Sequence, residues 1–267
     1  MHRKTPHFDK LSGSLLEVAR GHADQRLVRF TLAGKAYFAK RPERYESLRY
    51  WITKGHPLRA FKREVAQLKA FGARKAPVPA IVAEAHDCIV TADHGPTVLA
   101  LLKQGAVGPE VFSRLGRHLW QLHELGLAHG RPVLRDLCWD DHRVTFLDLE
   151  AGAKLNATPR DFARDVLVLL HSILVSKNTT REDGVTFMQA YFTLAGDEVF
   201  AATLTRVEKL WWLEMLAYPV MLRHRQRGKK RSEFIAIRTM RQAVLQYAET
   251  IAKTQPRLDN ETTTPGV

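Results

Sequence analysis

The segment Leu127–Glu150, LAHGRPVLRDLCWDDHRVTFLDLE, concentrates residues that could do chemistry. It opens on His129-Gly130 and passes an acid, Asp136. It closes with a strand-like apolar run (Val144, Phe146, Leu147) that delivers a second acid, Asp148. A loop carboxylate facing a strand-end carboxylate offers hard oxygen ligands to a magnesium ion, and such an ion can neutralise phosphate oxygens. Arg131 adds a guanidinium, which suits phosphate and cannot accept a proton. Two acids and a fixed cation point to phosphate chemistry.

These side chains need elements to hold them. Arg26–Leu32, a turn at Ala33-Gly34 and a return run Lys35–Lys40 predict a hairpin ending on Lys40. Upstream, Ser14–Arg20 reads as a short β-type run broken by Gly21. Leu58–Phe71 carries Ala60, Phe61, Val65, Leu68 and Phe71 at helical spacing, with Glu64 as its only acid among Lys62, Arg63 and Lys69. Taken alone, Glu64 is a solvated surface residue and Lys40 an exposed strand end. Ile81-Val82 with Cys88–Thr91 reads as a further strand pair, followed by Asp93-His94-Gly95-Pro96. The remainder is helical in pattern: Pro109–Gly126, Asp161–Val175, Val185–Thr203, Leu204–Leu222 and Ser232–Ala252, then a polar tail expected to be disordered from Thr254. The class is α+β.

Together with Lys40 and Glu64, the Leu127–Glu150 segment resembles the catalytic-loop and metal-loop region of small atypical kinases. These are the RIO-type and lipopolysaccharide-core (Kdo) kinases of the protein-kinase-like superfamily. Their pattern runs His-Gly-Asp, four variable residues, Asn, then a strand ending in Asp-Phe-Gly. The resemblance covers residues 14–175, with motif detail only around Asp136 and Asp148. It implies a two-lobed fold, with a β-rich N-lobe bearing one helix over residues 1–95, a helical C-lobe over 96–253 and a tail over 254–267. It implies ATP and Mg²⁺ as cofactors, with Lys40 on the α and β phosphates, Glu64 orienting Lys40, and Asp136 and Asp148 on the metal. Asp93 to Gly95 become a hinge that bonds adenine through its backbone. His129 becomes an anchor for the metal-loop backbone, and Asp165 the acid that fixes the catalytic loop. The implied activity is phosphorylation of a hydroxyl.

The departures from the pattern are specific. With Asp148 as the metal-loop acid, Asp136 occupies the Asn position and Arg131 the position of the catalytic Asp. A second register takes Arg135-Asp136-Leu137 as Arg-Asp-Leu, making Asp136 the base and Asp141 the second metal ligand. Only six residues then separate Asp141 from Asp148, short for a hairpin, so the first register is favoured. Asp136 and Arg131 are therefore the candidate catalytic groups. The loop Gly21–Gln25 contains one glycine, too few for a phosphate cover built of backbone N–H groups. Arg131 and this poor loop support a competing class, a pseudokinase acting as a binding or regulatory module.

Composition narrows the partners. The 267 residues carry 41 Lys and Arg against 28 Asp and Glu, a net charge of +13 that attracts polyanions. Joined to the resemblance, it favours an anionic glycolipid acceptor such as a lipopolysaccharide core sugar. A protein Ser/Thr acceptor of the RIO type is the alternative. The basic run Met221–Arg231, following Trp211, Trp212 and Tyr218, suits peripheral contact with an anionic membrane. Nucleic acid is less favoured, because no aromatics interleave with those basic residues. No run of roughly 18 apolar residues exists to span a membrane, and MHRKTPHFDK lacks an apolar signal core. With two cysteines in no metal-ligand spacing, Cys88 and Cys138, the expectation is a cytoplasmic protein, including a peripheral position at the inner face of the cytoplasmic membrane. His118 and His123 are five residues apart, a poor spacing for a shared metal.

Overall fold

Alternation along four short strands decides which way Lys40 points. In the computed structural model, which describes residues 6–43, 56–140, 142–149, 152–226 and 233–254, these strands are β1 (Leu27–Leu32), β2 (Lys35–Lys40), β3 (Ile81–Ala85) and β4 (Cys88–Ala92). They form an antiparallel sheet of order β1-β2-β4-β3. Ala33 and Gly34 both take positive φ (50° and 75°), the backbone of a tight two-residue hairpin turn. Val28 pairs with Ala39, and Ala39 with Val90, so these side chains share one face with Phe30 and Tyr37. Leu27, Phe38, Lys40, Ile89 and Thr91 fall on the opposite face by the period of two.

The first face is covered by α1 (Pro6–Gly21), which corrects the β reading of Ser14–Arg20. Leu11, Leu15 and Ala19 recur every fourth residue, and Leu15 and Ala19 are fully buried against the sheet. The local Leu-Leu-Glu-Val run hides that spacing. An exposed apolar sheet face supplies the demand that settles it. The buried Arg41 guanidinium, just beyond β2, bonds the carbonyls of Ala19, His22 (3.2 Å) and Gln25 (3.4 Å), holding the helix end where carbonyls are left over. Among its described residues the β-rich third therefore carries two helices where one is expected: α1 and α2 (Pro57–Ala73).

α2 turns Phe61, Val65, Leu68 and Phe71 into the larger core, which the helices that follow also build. These are α3 (Val98–Gln104), α4 (Glu110–Glu124), α5 (Pro159–Val175), α6 (Arg181–Lys209), α7 (Trp211–Gln226) and α8 (Glu233–Thr254). A small hairpin, β5 (Leu137–Trp139) and β6 (Val144–Phe146), sits among them. The α3 helix falls outside the sequence expectations; Thr97 caps its start and Gly105, at φ 66°, its end. The expected division at Thr203/Leu204 is also displaced. α6 begins at a Thr180/Asp183 capping box, breaks at Gly196 (φ 72°, ψ 172°) and ends at Lys209. Gly116 lets α4 and α6 touch: a Cβ there would stand 2.5 Å from the Phe187 carbonyl.

The mixed α+β class is as expected. Residues 255–267, where the tail is expected, lie outside the described residues, as do 227–232 of the basic run. Among the described residues, no helix is long and apolar enough to cross a membrane.

Candidate functional site

A cavity of about 400 Å³ opens on the inner face of the sheet. Phe38, Ile89 and Leu68 supply apolar wall, while Lys40, Asp136 and Asp148 converge on it. Its size and its few polar groups suit a small ligand.

The Lys40 ammonium pairs with Glu64 Oε1, and the Glu64 side chain is almost wholly buried. Solvation, the bland reading of Glu64, does not apply. The helical period that sends Phe61, Val65 and Leu68 into the core leaves Glu64 facing β2.

Asp136 and Asp148 are brought together by the β5–β6 hairpin. Leu137 pairs with Phe146, and the Leu147 N–H donates to the Asp136 carbonyl at 2.8 Å, so the hairpin's two open ends carry the two acids. β5 ends at Trp139, and Asp141 lies outside the described residues. Asp148 takes φ 58°, a region costly for most side chains and tolerated by Asp. Asp136 Oδ2 is buried and accepts no hydrogen bond. Burial pushes the Asp136 carboxyl above its ordinary range and the Asp148 charge pushes it further, against Arg135, Arg131 and Lys40. An orphaned carboxylate oxygen beside a second carboxylate is the donor set a divalent cation fits. Among the described residues no group of three or more His, Cys, Asp or Glu forms a complete cage. A pair of acids suffices only for an ion that arrives with phosphate or keeps its water.

The loop bearing Arg131 is held from two sides. His129 Nε2 donates to the Leu147 carbonyl at 2.7 Å, and its Nδ1 accepts the Arg131 N–H at 3.3 Å; these partners assign the tautomer. Burial lowers the pKa of this imidazole, against the nearby Asp165 charge. From below, the fully buried Asp165 carboxylate on α5 accepts the N–H groups of His129 (2.6 Å) and Gly130 (2.9 Å). His123 Nε2 lies 3.4 Å from the same carboxylate, while His123 Nδ1 meets the Tyr191 hydroxyl at 2.6 Å. His123 is thereby a buried structural link and no partner of His118 in a metal site. Ser172 Oγ, also on α5, accepts the Leu134 N–H at 3.0 Å. Arg131 reaches outward, its Nη2 3.9 Å from Asp148 Oδ2.

The connecting segment after β4 departs from the expectation in detail. The Asp93 N–H is given to Ala36 and the Gly95 N–H to Asp93 Oδ1 (2.9 Å); Asp93 Oδ2 takes Arg29 Nε at 2.6 Å. Asp93 and Gly95 therefore shape the segment without offering their own N–H groups to a ligand. Gly95 is needed at φ 81°, where a Cβ would stand 3.2 Å from the Trp139 carbonyl. His94 lines the cavity, and its Nε2 is buried without a hydrogen-bond partner. Nothing in its sequence surroundings marks it. The Gly21–Gln25 loop leads from α1 into β1 and is not the link between the paired strands β1 and β2; that link is the two-residue turn Ala33-Gly34, which leaves no cover there for phosphates.

No protein-family model matches the chain. Over 156 residues it is 31% identical to an uncharacterized protein of Haemophilus influenzae, a match covering 57% of this chain and 64% of that relative. The similarity thus spans less than two thirds of the relative's length and carries no named activity.

Proposed function

We propose that this cleft binds ATP with magnesium and transfers the terminal phosphoryl group to a hydroxyl. The β-rich part and the helical part then serve as the two lobes of a protein-kinase-like fold, with Asp93 to Gly95 as the hinge. The observation that carries this is the convergence of the Lys40–Glu64 pair with Asp136 and Asp148 on one cavity. Lys40 supplies fixed positive charge for the α and β phosphates, and Glu64 keeps it there. Magnesium, held by Asp136 and Asp148, would neutralise charge on the phosphate oxygens. Gly130 and Arg131 sit on a backbone that Asp165 and His129 hold still, which favours positioning of an acceptor hydroxyl. Arg131 cannot be a base. A loose transition state makes little demand for one, and a guanidinium can bind the transferred group's oxygens. The +13 charge supports an anionic acceptor, with a glycolipid such as a lipopolysaccharide core sugar preferred to a protein.

The Arg131–Asp148 contact supports a second reading, a nucleotide-binding regulatory module in which the guanidinium stands where a cation would act. Thermal shift with ATP, with and without magnesium, tests the shared premise. A magnesium-dependent rise in melting temperature, weakened by Asp148→Asn and by Lys40→Ala, is expected; no shift at millimolar ATP defeats both readings. Transfer of labelled terminal phosphate to lipopolysaccharide core then separates them.

A further inference from the structure

The helix α7 is built inside out. Its acid, Glu214, faces α8 and binds Arg238 and Arg241 there, each at 3.1 Å. Its large apolar side chains are nonetheless left in the open: Trp211, Trp212, Met215, Leu216, Tyr218 and Leu222 are all exposed, Leu216 to 69%, and Trp211, Met215 and Tyr218 border an open groove beside Glu214 and Arg241. Among the described residues these six are half of the twelve exposed large hydrophobics. The spacing of Trp211, Met215, Tyr218 and Leu222 is four, three and four, so they form one stripe, with Trp212 and Leu216 in the adjoining row. A helix covered only by water shows the reverse arrangement.

We propose that this face of α7 rests in the surface of an anionic bilayer. The stripe from Trp211 to Leu222 is about 17 Å long, suited to lying in the interface and far too short to span it. Two tryptophans and a tyrosine are the side chains that settle at headgroup level, with apolar rings and a polar edge. Charge complementarity selects the partner. Arg223 is exposed at the end of the stripe, and the sequence beyond it adds Arg225, Arg227, Lys229, Lys230 and Arg231. A second copy would bring the same basic end and the same +13 charge against it, which opposes a dimer through this face. An anionic headgroup layer meets both the rings and the exposed Arg223 guanidinium. The contact deepens the glycolipid reading by carrying the cleft to a membrane-borne acceptor, but it does not depend on nucleotide binding.

The test is co-sedimentation of the full chain with phosphatidylcholine vesicles, with and without phosphatidylglycerol. Binding to the anionic vesicles is expected, weakening with salt. The double variant Trp212→Ser/Leu216→Ser should lose about tenfold or more in affinity, since the row beside the stripe loses its two large apolar side chains. Arg223→Glu should lose about fivefold or more. Both variants are on the surface and should keep the magnesium–ATP melting response of the wild type, so a failed nucleotide site and a failed membrane contact give different results. Absence of binding to either vesicle overturns the proposal. So does equal binding by wild type and the double variant, which would put the contact elsewhere. A wild-type dimer in light scattering that the double variant dissociates also overturns it, assigning the face to a second copy.

Discussion

His129 Nε2 donates to the carbonyl of Leu147 across 2.7 Å, and this bond couples the loop bearing Arg131 to the residue that precedes Asp148. The two loops flank the β5–β6 hairpin on either side in sequence and meet at its open end, and they cannot move independently while the bond holds. Asp165 extends the coupling downward by accepting the N–H groups of His129 and Gly130. The site's candidate cation and one of its acids therefore share a single mount on α5.

That mount predicts a large cost for Asp165→Ala. The substitution orphans two buried backbone donors and deprives His123 of its acceptor. A loss of about 3–5 kcal/mol is expected, in the range for removing one buried charged partner. Urea denaturation measures it; a loss under about 1 kcal/mol would show that the loop is held by other contacts.

Asp136 should behave in the opposite sense. Burial and the neighbouring Asp148 raise its folded pKa, so the folded state prefers the protonated acid. Its ionisation therefore costs stability as pH rises from the unfolded carboxylate range through the higher folded value, and the full cost is present above that. Asp136→Asn should accordingly raise the melting temperature at neutral pH, by about 2–4 °C for each kcal/mol relieved. The gain should vanish at pH low enough to protonate the acid in both states. The variant should also lose the stabilisation by magnesium expected of the wild type. Lower stability of the variant at neutral pH would contradict this electrostatic account.

Resemblance singles out Lys40, Glu64 and Asp148 in the sequence, where Lys40 and Glu64 taken alone read as exposed, and the periods of the folded elements account for where they point. A period of two puts Lys40 on the inner sheet face, a period of 3.6 puts Glu64 on the core side of α2, and an apolar strand delivers Asp148. The resemblance likewise singles out Asp165, an acid near the start of an apolar helix that the helix dipole alone would also favour. What escaped detection depends on partners far away in the chain. α1 is a helix because a sheet formed by later residues needs cover. The N–H groups of Asp93 and Gly95 are spent on Ala36 and on an internal turn, which no spacing reveals. Tyr191 reaches His123 across 68 residues, and only packing of α6 against α4 brings them together.

The Lys40–Glu64 pair separates fold from function in one cycle. Lys40→Met removes the cation beside a nearly buried carboxylate and should cost about 3 kcal/mol. Adding Glu64→Leu replaces the pair by apolar side chains and should recover most of that loss. Nucleotide affinity should fall about tenfold or more in both variants, because neither restores charge beside the phosphates. Calorimetry and denaturation together check it. Recovery of binding alongside stability would make the pair purely structural.

Arg131 is where the two functional readings part. Its guanidinium stands 3.9 Å from Asp148, partly exposed, and competes with any cation that Asp148 holds. Arg131→Ala should therefore tighten magnesium binding a few-fold, as expected for an exposed ion pair worth up to about 1 kcal/mol. If the guanidinium also meets the transferred phosphoryl group, turnover should fall by about 10³-fold or more, the scale of a lost arginine in phosphoryl transfer. Tighter magnesium with collapsed turnover identifies Arg131 as part of the catalytic apparatus. Tighter magnesium with unchanged turnover removes it from the chemistry and leaves it a counter-ion. Wild type with no turnover at all, but a magnesium–ATP response that Arg131→Ala enhances, favours the regulatory module.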